Sequence, residues 1–136
     1  MEITPSRHQH QAPPSKDELG LLGEEYAETH LVAAGHIVLD RRWRSRHGEL
    51  DLITLDDGVL VAVEVKTRRG RGWGHPFEAV TPVKLHRLHR LLREYAAQHS
   101  GVRVPLRVDA VSVLFPAERD TALGVPQIEH LEDLRP

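Results

Sequence analysis

The sequence predicts an α/β domain built on a mixed β-sheet flanked by helices, in the order α-β-β-β-α-β-β. Three observations carry this. Two stretches of helical periodicity begin at capping residues, an Asp-Gly pair separates two aliphatic runs, and 136 residues make one domain able to bury roughly two thirds of its unfolded surface. The domain is expected over residues 16–136, behind a disordered N-terminal tail of residues 1–15 that is polar and holds Pro5, Pro13 and Pro14.

The first helix follows from Ser15 and Glu18, which have the spacing of a capping box, and from Leu19, Leu22, Tyr26, Leu31 and Ala34 at helical intervals. Gly35 stops it, giving a span of about Lys16 to Ala34. His36 to Arg42, with Ile37, Val38 and Leu39, reads as a strand entering a basic turn from Arg41 to Gly48. Glu49 to Leu55 and Val59 to Thr67 are aliphatic and β-branched; Asp56-Asp57-Gly58 between them makes a hairpin, whose turn needs positive φ. Arg68 to Gly74, with three arginines and three glycines, reads as a loop. Thr81-Pro82 caps and opens a second helix with Leu85, Leu88, Leu92 and Tyr95 on one stripe, Lys84, Arg87, Arg90 and Arg93 opposite, and an end near Ser100-Gly101. Arg107 to Phe115 is a strand with Val111 and Val113 on one face, and Gln127 to Leu131 a short last strand.

Composition narrows the function. The absence of cysteine excludes a disulfide framework, a thiolate zinc site and a cysteine nucleophile. The longest apolar run, Val59 to Val63, is too short to cross a membrane, and the charged opening has no apolar core like that of a signal peptide, so a cytoplasmic location is expected. Charge is unevenly spread. Arg41 to Arg93 holds 12 Lys/Arg against 6 Asp/Glu, whereas the remainder holds 6 against 14. A polyanionic partner, or a merely solvated basic face, would account for this.

The hairpin fixes a geometry. With Asp57 and Gly58 as turn residues, Asp56 pairs with Val59, Asp51 lies opposite Glu64, and Glu49 opposite Lys66. Strand side chains alternate, so Glu49, Asp51, Ala62, Glu64 and Lys66 share one face while Val61, Val63 and Val65 point the other way. Facing carboxylates repel, and a divalent cation would offset that cost; carboxylate oxygens suit Mg²⁺ or Mn²⁺. Lys66 would then stabilise negative charge or orient and deprotonate a water. A Glu-x-Lys alone is short and common, and by itself reads better as a Glu49–Lys66 salt bridge on a solvated sheet face.

The combination is more specific. Gly48-Glu49-Leu50-Asp51-Leu52-Ile53, a turn, and Val63-Glu64-Val65-Lys66-Thr67-Arg68 resemble the PD-(D/E)xK nuclease signature. With Gly23-Glu24 through Ala27, Gly35, Trp43-Arg44, Val80-Thr81-Pro82, Lys84 and Arg107-Val108-Asp109, the pattern resembles the YraN-like family of small bacterial proteins, similar in fold to archaeal Holliday-junction resolvases. The resemblance spans roughly Gly20 to Val113. It implies a restriction-endonuclease-like fold and metal-dependent hydrolysis of DNA, branched or otherwise structured DNA included. By it, Asp51 and Glu64 are metal ligands, Lys66 is the catalytic lysine, and Glu24 is an outer acid, with Glu25 and Glu28 as alternatives; Glu49 completes the acidic patch. The sequence departs from the family at Val108, where an aromatic is usual, and at Arg42, where Asn is usual.

Arg44, Arg46, Arg68, Arg69, Arg71 and Lys84 flank the acids and suit phosphate contacts. Gly70, Gly72 and Gly74 would let their loop approach a backbone, and Trp73 either stacks on a base or pins the loop to the core. His86 and His89 lack the glutamate pattern of a zinc helix and read as solvated. The expected partners are a nucleic acid, DNA foremost, and a second copy of the chain in a homodimer. Two rivals stand beside the nuclease: a nucleic-acid-binding module that retains the fold without catalysis, and a protein-interaction domain.

Overall fold

The computed structural model describes residues 14–70, 77, 80–99, 103–117 and 124–136. The elements come in the expected order: α1 (Lys16–Ala33), β1 (Ile37–Ser45), β2 (Gly48–Asp56), β3 (Val59–Arg69), α2 (Pro82–His99), β4 (Leu106–Phe115) and β5 (Gln127–Leu131). Both helix starts are made by the residues the sequence nominates. Glu18 N–H donates to Ser15 Oγ and Ser15 N–H to Glu18 Oε1, each at 3.2 Å, while Lys84 N–H donates to Thr81 Oγ1 at 3.2 Å. No helix among the described residues is long and apolar enough to cross a membrane.

The five strands lie in sequence order, β3 and β4 parallel and the other neighbours antiparallel. A parallel pair needs a crossover, and α2 provides it. The sheet is covered on both faces. Leu85, Leu88, Leu91, Leu92 and Tyr95 of α2 pack on Leu50, Ile53, Leu60, Ala62 and Val108; Ala27 and Leu31 of α1 pack on Leu52, Val61, Val63, Val65, Val111, Val113 and Phe115. Burial on both faces is why β3 is almost continuously apolar rather than alternating.

Three expectations need correction. The basic segment Arg41 to Ser45 is strand, because β1 stays paired with β2 as far as Ser45↔Gly48 and only Arg46 and His47 are left to turn. Arg68 and Arg69 are strand as well, held by the parallel ladder to Leu114 and Phe115. On α1 the buried positions are Gly23, Ala27 and Leu31, whereas Tyr26 is part-exposed with its ring edge-on to Phe115. The predicted tail through residue 13, Arg71, Gly72, Trp73 and Gly74 lie outside the described residues.

Gly23 sets the approach of α1 to the sheet. A Cβ there would fall 1.9 Å from Thr67 Oγ1, next to Lys66 in β3. Gly23→Ala is therefore expected to destabilise the fold by about 1–3 kcal/mol through overpacking, read as a lower urea midpoint. Gly20→Ala, which meets nothing within 4 Å, is the control and is expected to hold or raise the midpoint. Equal effects would place no close contact at Gly23.

Candidate active site

β2 and β3 keep the expected register from Asp56↔Val59 to Leu52↔Val63, and then part. Beyond that rung β2 is held by β1 and β3 by β4. The expected rungs Asp51 opposite Glu64 and Glu49 opposite Lys66 are absent, and the cause is a side chain. Asp51 Oδ2 accepts the Val65 N–H at 2.9 Å, so a carboxylate stands where a backbone acceptor would be. The alternation of β2 breaks at the same place: Leu50 packs beneath α2 and Leu52 beneath α1, on opposite faces although two residues apart. On β1, Arg42 adopts φ 50, a left-handed conformation that Asn accepts more readily than Arg. The pleat is interrupted there, and the consecutive Arg41 and Arg42 both reach α1, on Glu28 and Glu24.

Where the strands part, the acids still meet. The Asp51 carboxyl lies against that of Glu64, and burial, reinforced by the Glu64 charge, pushes it up to about 7 against the pull of the Val65 N–H. Glu64 is nearly buried, and its Oε1 sits 3.4 Å from Lys84 Nζ and 3.6 Å from Lys66 Nζ. Burial and the neighbouring Lys84 hold the Lys66 ammonium below its ordinary range. Lys84, nominated as a phosphate contact, is thus brought into the centre by the first turn of α2. An open cleft of about 300 Å³ runs over the group, lined by Gly48, Glu49, Asp51, Glu64, Lys84 and Arg87 among others. Arg87 lies on the basic helix face that the sequence offers, with Lys84 and Arg90, as an alternative phosphate track, three residues on from Lys84.

The remaining nominated residues divide. Glu49 joins the cleft but pairs with Arg44, its neighbour across β1, at 3.1 Å rather than with Lys66, so the salt-bridge alternative is not formed. Glu24 acts on Asp51 only through its charge: its carboxylate is held by Arg42 at 2.7 Å and lines a separate hollow with Glu28, Arg41 and Leu52. Arg46 is exposed at the β1–β2 turn. Arg68 is half-buried and donates to the Thr67 carbonyl; Arg69 is half-buried on β3; Arg71 is not described. His86 is exposed as expected, whereas His89 is half-buried and donates to the Leu134 carbonyl at 3.0 Å instead of being solvated.

The donor set fits a hard divalent ion. Two adjacent carboxyls, one of them pushed up to about 7 by burial and by the charge of the other, present oxygen ligands at an open cleft. The same displacement gives a pH prediction. Asp51 binds its proton more tightly folded than unfolded, so the stability it contributes is present below its ordinary 3.8 and is lost as pH rises through about 7. Asp51→Asn, which can accept from Val65 and donate to Glu64 as the protonated acid does, is expected to be the more stable protein at pH 8 by on the order of 1–2 kcal/mol, with little difference at pH 5. A gap of the same size at both pH values would remove the proton from the explanation.

Fold and site together define a small α/β protein that gathers an acid pair and two lysines where its central strands separate. Residues 23–113 match the uncharacterised protein family UPF0102, and the chain belongs to that family, the YraN-like group its motifs resemble. It is 47% identical over 118 residues to a UPF0102 protein of Arthrobacter sp. (strain FB24), covering 86% of this chain and 95% of the relative. Similar relatives occur in Clavibacter michiganensis, 46% identical with 84% and 92% covered, and in Kineococcus radiotolerans, 50% identical with 75% and 84% covered.

Proposed function

We propose that this chain is a divalent-metal-dependent nuclease that hydrolyses DNA phosphodiester bonds. The observation that carries the reading is the meeting of Asp51, Glu64 and Lys84 in one open cleft, with Lys66 Nζ 3.6 Å from Glu64 beside it, at the point where β2 and β3 separate. Asp51 and Glu64 would hold Mg²⁺ or Mn²⁺, which when bound supplies charge stabilisation at the phosphate and a more acidic water. The Val65 N–H orients the Asp51 carboxyl, which would have to release its proton to hold the ion. Lys66, with its ammonium destabilised by burial and by Lys84, is suited to exchanging a proton at Nζ with the attacking water. The water oxygen bonds to phosphorus as its proton passes to Lys66 Nζ, one ester P–O bond breaks, and the departing oxygen takes a proton from solvent. Lys84 and Arg87 line the cleft as cations for the phosphate, while Arg44, Arg46, Arg68, Arg69 and Arg71 would position the backbone without reading sequence. Glu49 lines the cleft while paired with Arg44, and Glu24, held by Arg42, adds its charge to the field at Asp51.

The test is incubation of the full chain with a substrate panel of four-way junctions, flaps, duplexes and single strands, with Mg²⁺, with Mn²⁺ and with chelator. Cleavage of at least one substrate, abolished by chelator, is expected. Binding to the panel with no cleavage under any metal overturns the enzyme and leaves a nucleic-acid-binding module.

A further inference from the structure

On the face of the sheet away from the acid pair, a second polar group interrupts the core beneath α1. His36, in the connection from α1 to β1, and Asp109, in β4, are buried, and His130, on β5, is nearly so. One ligand atom from each lies within 4.8 Å of the other two, and the two imidazole centroids are 5.7 Å apart. We propose that His36, Asp109 and His130 form a metal site of the two-histidine, one-carboxylate kind, selective for an imidazole-seeking ion such as Zn²⁺ over Mg²⁺.

Three features favour an ion. The first is orientation: His36 Nδ1 is 2.7 Å from Thr54 Oγ1, a contact that fixes the ring, and in the tautomer protonated at Nδ1 it leaves the Nε2 lone pair available to an ion. The second is support for the carboxylate. Asp109 is fully buried, and Arg107 donates to its two oxygens at 2.8 and 3.0 Å while the Asp133 N–H donates at 3.0 Å. These are outer contacts of the kind that hold a ligating carboxylate in place. The third is charge. Asp56 Oδ2 lies 3.5 Å from His36 Nε2 and 2.8 Å from Arg107, so the single Arg107 guanidinium faces two carboxylates, Asp56 and Asp109.

Loading requires a small movement. His130 Nε2 donates to Asp109 Oδ2 at 2.8 Å, and that proton must leave for both atoms to ligate. Adjacent ligands of a tetrahedral ion with bonds of about 2.1 Å stand roughly 3.4 Å apart, so the ring must withdraw by about half an ångström. His130 lies on the short edge strand β5, which is bonded to β4 on one side. A bound ion would join that strand to β4 and to the start of β1.

The test uses the full chain with ¹⁵N-labelled histidine and Zn²⁺ added to one equivalent at pH 7.5. The Nε2 resonances of His36 and His130 are expected to shift together, those of His86 and His89 to stay, and Mg²⁺ to move neither. His130→Gln is expected to weaken Zn²⁺ binding at least about tenfold, while Asp51→Asn with Glu64→Gln leaves it unchanged. Binding that follows the tail residues His8 and His10, or that is lost with the acid pair, overturns the site. So do unmoved His36 and His130 resonances at tenfold excess Zn²⁺. The wild-type spectra carry the test even if a His36 variant fails to fold.

Discussion

Lys66→Ala is expected to lower metal-dependent DNA cleavage by at least about a hundredfold while leaving DNA binding near the wild-type level. Its Nζ stands 3.6 Å from Glu64, and its proton is loosened by burial and by Lys84. Lys66→Arg separates two roles. A guanidinium does not give up its proton at working pH, so proton exchange at this position would be lost in the arginine variant, whereas simple charge stabilisation would be partly kept. Asp51→Ala and Glu64→Ala are expected to fail as completely, with melting temperatures that no longer rise on addition of Mn²⁺. The measurement is single-turnover cleavage beside a binding titration for each variant. A Lys66→Ala protein as active as wild type ends the assignment.

The largest loss of stability is expected at Asp109. Burial alone would raise its carboxyl, but hydrogen bonds from His130, Arg107 and the Asp133 N–H outweigh burial and hold it below the ordinary carboxylate range. Asp109→Ala leaves the Arg107 guanidinium largely buried beside Asp56 alone, strips His130 and Asp133 of an acceptor, and opens a space beneath α1. Removing one partner of a buried ion pair costs about 3–5 kcal/mol, a large fraction of the stability of a domain this size. Chemical denaturation in metal-free buffer reads it directly. The pH dependence has the opposite sign to that of Asp51. Stability from Asp109 is present above its ordinary 3.8 and is lost as pH falls through its lower folded value. In the alanine variant the acid limb of the stability profile should flatten while the decline toward pH 8 remains. A loss below about 1 kcal/mol would show that the network rearranges around the gap.

Local rules reached a long way into this chain. The capping box at Ser15, the cap at Thr81, the order of elements and the register of the Asp57-Gly58 hairpin all follow from contacts a few residues apart, and all hold. Register arithmetic failed where a side chain took over from the backbone. The turn fixes the pairs near it, but nothing in the turn announces that Asp51 will occupy the Val65 N–H and end the ladder. The left-handed Arg42 was invisible for a related reason: arginine gives no conformational hint of positive φ, although its departure from the family's usual Asn marked the position. The Asp109 network joins residues dozens of positions apart and has no local pattern. One signal was available. Asp109 shares a strand face with Val111 and Val113, both buried, so alternation alone placed a charge in the core.

The shape of the sheet is that of a tuning fork, closed as far as the rung Leu52↔Val63, with β1–β2 as one tine and β3–β4 as the other. On a fork, separation grows with distance from the crotch, so the first residues past the last rung are the least able to move apart. Asp51 and Glu64 occupy that place. Their spacing is consequently set by the stem, which the hairpin turn at Asp57-Gly58 locks, and not by the tips. A change of length or charge at the tips, with Arg46 at the end of one tine and Arg69 at the end of the other, therefore leaves that spacing to the stem.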